Sequence, residues 1–165
     1  MTRLDVFIQR MKAQRACIDM VAREAGSGSG PILELGLGNG RTYDHLRDRF
    51  PGRTIYVFDR EVAAHPDCIP PEDCLRLGDL RASLAAFLAE GKLRAAFIHA
   101  DIGSANREKS MRLAADLAPT LQQLLAPGAY LACDQPVEIA GLERQPLPES
   151  PDDGRYHLYR RADGR

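Results

Sequence analysis

The residues best placed to do chemistry gather in ILELGLGNGRTYDHL, residues Ile32 to Leu46. There Gly36, Gly38 and Gly40 alternate with other residues behind an apolar run, and Glu34 stands two positions before the first glycine. Glycines at this spacing let a backbone pass closely beneath a ligand, usually a nucleotide phosphate. A dinucleotide loop also needs a third small residue, so that the following helix can pack on the strand, and Arg41 occupies that position. A carboxylate beside the loop would moreover repel a pyrophosphate, at a cost that grows as water is excluded. A ligand with positive charge near Glu34 removes both objections.

The elements that must position these residues follow from periodicity. Leu4 to Ala25 carries apolar side chains at Leu4, Ile8, Met11, Ile18, Val21 and Ala22, which predicts a helix, and GSGSG (Gly26 to Gly30) ends it as a flexible joint. Strand one is Ile32 to Leu35. A helix from Arg41 to Phe50 stops at Pro51-Gly52, and TIYVF, Thr54 to Phe58, is strand two, ending at Asp59. Pro66, Pro70 and Pro71 keep any helix between Glu61 and Asp73 short. CLRLGD is strand three, Leu80 to Glu90 is a helix closed by Gly91, and LRAAFIHAD is strand four. A helix from about Asn106 to Leu125, bent at Pro119, leads through Pro127-Gly128 into AYLACD, strand five.

Strands apolar on both faces, alternating with helices, predict a doubly wound α/β fold with a mostly parallel sheet covered by helices on both faces. The proline-rich stretch from Asp134 to Gly154 leaves no room for another full crossover helix, so RYHLYR is expected to close the sheet as a C-terminal antiparallel strand in a hairpin. One domain spans 1–165, with an N-terminal helix (1–25), a ligand-binding core (31–134) and the closing hairpin (135–165). Ligands of such sheets bind at the carboxyl ends of the strands. This chain sets acids there in succession: Glu34, Asp59, Asp79, Asp101 and Asp134. S-adenosylmethionine suits a ring of acids, because its methionyl end sets an ammonium and a sulfonium against one carboxylate.

GLGNG preceded by Glu34, with Asp59, Gly78-Asp79 and Asp101, resembles the class I S-adenosylmethionine-dependent methyltransferases over about Ile32 to Asp134, and the chain looks like a small stand-alone member. The resemblance implies a Rossmann-like, seven-stranded sheet and S-adenosyl-L-methionine as cofactor. Carried over by position, it implies that Gly36, Gly38 and Gly40 pass under the methionyl part, with Glu34 near its ammonium directly or through water. Asp59, with Arg60 beside it, would take the ribose hydroxyls. Gly78, Asp79 and Leu80 would meet the adenine, Ala100 and Asp101 would flank the methyl and ammonium groups, and Thr42 and Tyr43 would bind the carboxylate at a helix start. Bland roles compete: the glycines could form only a tight turn, Asp79 and Asp101 could cap helices, and His99 could be a hydrogen-bonded core residue.

A narrower resemblance, FIHADI followed by PGAYLACDQ, points to metal-dependent O-methyltransferases of catechol type. His99 and Gln135 stand where that pattern has aspartate and asparagine, and an imidazole is a poor magnesium ligand, so no metal is expected. His65, Cys68 and Cys74 lack a CxxC pair and a fourth ligand for zinc. Methyl transfer is an in-line displacement on an activated sulfonium, for which positioning matters more than a strong base. Asp101, Asp134, His99 and Tyr43 are the candidates to assist proton removal. The first helix is expected to fold over the strand ends as a lid.

Composition narrows the partners. The 165 residues carry a formal net charge of -1 with no dominant Lys/Arg block, which argues against nucleic acid and favours a small-molecule methyl acceptor. No apolar run approaches the ~20 residues of a membrane span, and the start lacks a signal-peptide block. Four scattered cysteines fit reduced thiols. A cytoplasmic protein with no membrane partner follows, and a homo-oligomer remains open. Two alternatives accompany the methyltransferase reading: a non-catalytic S-adenosylmethionine-binding module, suggested by the truncated region after strand five, and a dinucleotide-dependent oxidoreductase.

Overall fold

The computed structural model describes residues 1–26, 28–91, 94–149 and 155–164. Ser27 of the glycine-serine joint, Leu93 at the expected start of strand four and residues 150–154 of the closing hairpin lie outside the described residues. The elements run α1 (Arg3–Ala25), β1 (Ile32–Leu35), α2 (Arg41–Arg49), β2 (Ile55–Asp59), β3 (Leu75–Leu77), α3 (Leu80–Ala89), β4 (Ala95–Ala100), α4 (Arg107–Leu124), β5 (Leu125–Cys133), β6 (Leu142–Gln145) and β7 (His157–Arg161). The proline-rich stretch before β3 holds only two short helical turns, Pro66–Cys68 and Glu72–Cys74. No helix among the described residues is long and apolar enough to cross a membrane.

The seven strands form one sheet in the order β3-β2-β1-β4-β5-β7-β6. β1 pairs in parallel with β2 and β4, which places the chain's reversal of direction beside the glycine loop. β7 is antiparallel to both β5 and β6 and is the one strand reversed against the rest. This is the doubly wound, mostly parallel α/β arrangement expected from the sequence, with two differences of detail. β6, LERQ, was not foreseen, because its half-exposed polar residues carry no clear alternation. β5 starts at Leu125, before Pro127-Gly128, because the ladder shifts register between Ala95 and Phe97 and the Pro-Gly pair bulges out of the pairing.

Alternation divides the core into two layers. Ile32, Val57, Phe97, Tyr130 and Ala132 face α1 and α2, whereas Leu33, Leu35, Phe58, Ile98 and Leu131 face α3 and α4. Period-2 geometry therefore puts Glu34 and His99 under α1 and α2, on the side of Ile32 and Phe97.

Helix ends are fixed locally. Thr2 and Asp5 form a reciprocal capping box at the start of α1, Asp79 accepts from the Arg81 and Ala82 amides at α3, and Asn106 caps α4. α4 runs on through Pro119. The second half of α1 buries Ala13, Gln14, Cys17, Ile18 and Val21. Asp19 on that half pairs with His45 at 2.9 Å and Arg49 at 2.8 Å on α2. At its foot, Arg53 donates to the Gly26 and Gly30 carbonyls, each at 3.1 Å, so the joint expected to be free is clamped at both ends.

Candidate functional site

A cleft of about 650 Å³ opens across the carboxyl ends of the strands. Its floor is the loop after β1. Gly36 sits where the ends of β1 and β4 pass each other: a Cβ there would lie 2.4 Å from the Asp101 carbonyl, and its φ of +95° suits glycine. Gly38, at φ +51°, has nothing within 4 Å of where its Cβ would be and faces open space. The loop is held from below by Asp59. Its Oδ2 accepts from the Leu37 and Gly38 amides at 2.8 and 3.1 Å, and its Oδ1 from the Arg60 amide at 2.6 Å.

Several residues expected at a site share this cleft: Gly36, Gly38, Thr42, Asp59, Arg60, Gly78, Asp79, Leu80 and Asp101. Asp79 also caps its helix, so the bland role weighed from the sequence is present in a residue that lines the cleft. Asp101 is not a cap, since Asn106 fills that place for α4. Instead Asp101 accepts from Gln14 Nε2 at 3.0 Å and lies 3.6 Å from Arg10.

The remaining expected residues lie outside the cleft wall. Gly40 caps α2 beneath Ala64 and Cys68. The Ala100 carbonyl accepts the Asp134 amide at 3.1 Å. Tyr43 is buried on the α1–α2 side, with the Arg47 guanidinium over its ring, and burial raises its phenol above the ordinary range despite that cation. Asp134 turns its carboxylate onto the Ile102 and Gly103 amides at 3.1 and 2.8 Å. Burial, then the charge of Asp101, raise its pKa. Cys17 is pushed up to about 12 by burial, which leaves it an inert thiol.

Glu34 has no solvent exposure. One oxygen accepts the Thr42 hydroxyl, and the other lies 2.6 Å from Nδ1 of the equally buried His99, its register partner on β4. Burial opposes a charge on His99. The Glu34 carboxylate, by proximity and hydrogen bond, outweighs it with help from Asp101 and Asp134, and the imidazole titrates above its usual value. His99 Nε2 and the hydroxyl of nearby Tyr156 have no hydrogen-bond partner among the described residues. Thr42 thus links the cleft wall to a polar pair buried behind it.

Sequence reasoning places the first helix over the strand ends but does not name the residues of the cleft's two side walls. One is α1, with Phe7, Arg10, Met11 and Gln14; the other is the start of α4, with Lys109, Arg112 and Leu113. In each the residues recur at helical spacings of three and four, a stripe that marks one face but not what the face covers.

Residues 1–161 match the family model described as S-adenosyl-L-methionine methyltransferase. No curated protein matches significantly. Among solved structures, an S-adenosyl-L-methionine methyl transferase from Silicibacter pomeroyi is 47% identical, with a TM-score of 0.92 over 98% of this chain and 99% of its own. Human methyltransferase-like protein 13 in complex with SAH is 13% identical, with a TM-score of 0.64 over 94% of this chain and 82% of its own. TrmN from Thermus thermophilus is 15% identical, at 0.62 over 87% and 48%. The last two are likenesses of fold.

Proposed function

Because this chain belongs to the S-adenosyl-L-methionine methyltransferases, we propose that it moves a methyl group from that cofactor to a small-molecule acceptor within the cleft over β1, β2, β3 and β4. The membership sets aside the dinucleotide oxidoreductase alternative. The cleft's donor set fits the cofactor: Asp59, Asp79 and Asp101 stand at three strand ends, and Gly38 faces unfilled space beside them. A carboxylate offers about four lone-pair positions, and loop amides use three on Asp59. Asp59 would hold a ribose hydroxyl with what remains while keeping the loop in place. Gly78, Asp79 and Leu80 would meet the adenine, and Asp101 the methionyl ammonium. Thr42 at the start of α2 would meet the carboxylate, with Glu34 fixing the direction of its hydroxyl.

The bound cofactor supplies a methyl group already activated on a sulfonium. The protein's task is then alignment and exclusion of water. Asp101 is the acid of the cleft nearest to α1 and the candidate to orient the acceptor, whereas Asp134, His99 and Tyr43 lie outside the wall.

The observation that carries the small-acceptor reading is the position of α1, whose Arg10 and Gln14 reach across to Asp101. That position supports an acceptor small enough to sit beside α1 within the cleft. The test combines calorimetric titration with S-adenosylmethionine and S-adenosylhomocysteine and a panel of small hydroxyl, amine and thiol acceptors, scored by release of S-adenosylhomocysteine. Cofactor binding with turnover on a small acceptor is expected. Turnover confined to RNA or protein would overturn the acceptor class.

A further inference from the structure

Charge in the cleft runs against charge in the chain. With a net charge of -1 overall, the cleft is nevertheless lined by Arg10, Arg41, Arg60, Arg81, Lys109 and Arg112 against only Asp59, Asp79 and Asp101. The three acids are already engaged: Asp59 by loop amides, Asp79 by cap amides and Arg81, Asp101 by Arg10 and Gln14. Arg41, Arg60 and Lys109 form no ion pair among the described residues, and Arg112 has only an exposed partner, Glu108, at 3.1 Å.

The cofactor worsens this imbalance. It brings one carboxylate but also an ammonium and a sulfonium, so it occupies at most one cation and adds a net positive charge. Like charges crowded in a partly dehydrated cleft repel strongly. Resting on the methyltransferase reading above, we propose that the acceptor is a small molecule with an apolar body and an oxyanion, a carboxylate or phosphate, held by Arg10, Lys109 and Arg112. Lys109 and Arg112 stand three residues apart near the start of α4 and so project together, and the amino end of that 18-residue helix adds to their field. Phe7 and Met11 on α1 and Leu113 on α4 supply apolar surface between the charges. Arg10 is released to the anion as Asp101 turns to the cofactor.

The experiment is calorimetric titration of the full chain loaded with S-adenosylhomocysteine, using phenylacetate, phenyl phosphate, neutral phenylacetamide and a single-stranded RNA oligonucleotide. One of the two small anions should bind at least about tenfold more tightly than the amide, the ratio for one charge-assisted hydrogen bond, and which one does so identifies the oxyanion. The double variant Lys109→Gln/Arg112→Gln should weaken that anion by a similar factor and leave S-adenosylhomocysteine affinity unchanged. The better anion should also raise affinity for S-adenosylmethionine more than for its product, a zwitterion that lacks the sulfonium charge. Equal or absent binding of acid and amide, or an unaffected double variant, overturns the inference while cofactor binding keeps the methyltransferase reading. Loss of both together, with no S-adenosylhomocysteine binding by the wild type, removes the reading itself. RNA binding tighter than either anion, lost in the double variant, replaces the small acceptor by a nucleic acid.

Discussion

At the scale of single residues, a buried carboxylate is the centre of interest. Glu34 lies in the motif where a cationic cofactor group would welcome it, yet the structure gives it an internal partner, the His99 imidazole, and the Thr42 hydroxyl. Replacing Glu34 with Gln should therefore lower the melting temperature of the free protein, by roughly 1–3 kcal/mol of stability, the range for disturbing a buried hydrogen-bonded group. Affinity for S-adenosylmethionine should change only through Thr42. A large loss of affinity at unchanged stability would return Glu34 to the ligand. The pair also sets a pH dependence. The folded pKa of His99 is raised, so its contribution is complete below the unfolded value of about 6.5 and is lost as pH rises through the folded value. Melting temperature should fall as pH rises through that window, and His99→Gln should flatten the fall. Asp59 belongs to the cleft instead: Asp59→Ala should weaken S-adenosylmethionine by roughly 2 to 4 kcal/mol. It should also destabilise the free protein, because three loop amides lose their acceptor. Unchanged affinity by calorimetry would remove Asp59 from the cofactor.

Among the elements, α1 is one continuous helix that burial divides into two halves. Its second half buries five residues against the sheet and is tied to α2, whereas no residue before Ala13 is buried and Leu4, Phe7 and Ile8 are exposed. Local stability follows buried contact. Amide hydrogen exchange should therefore be fast in residues 3–12 of the free protein and slow once S-adenosylhomocysteine is bound, with residues 13–25 protected throughout. Equal protection of the first half in both states would make α1 a fixed wall and not a lid. The Arg53 clamp on Gly26 and Gly30 supports motion within the helix's free half over rotation about the joint.

For the whole molecule, metal dependence separates two kinds of methyltransferase. The catechol-type pattern would need ligands at the positions of His99 and Gln135, but His99 is fully buried and its Nδ1 is committed to Glu34. Cofactor binding, and methyl transfer to whichever acceptor proves active, should survive a chelator. Loss of transfer restored by magnesium would contradict this assignment.

Sequence by itself determined the order and type of the helices and of every strand but β6, because two-fold and 3.6-fold periodicity and the chemistry of glycine, proline and caps act within a few residues. It also determined the strand ends that carry Asp59, Asp79 and Asp101, since a parallel sheet must present those ends together. What tertiary structure alone decided depends on register and docking between distant segments. Glu34 and His99, 65 positions apart, meet only because β1 and β4 align them as partners. β6 exists as a strand only because β7 offers it an edge. The cationic lining of the cleft was likewise invisible, since Arg10, Lys109 and Arg112 are ordinary surface residues of two amphipathic helices until α1 and the start of α4 are set on either side of the same glycine loop.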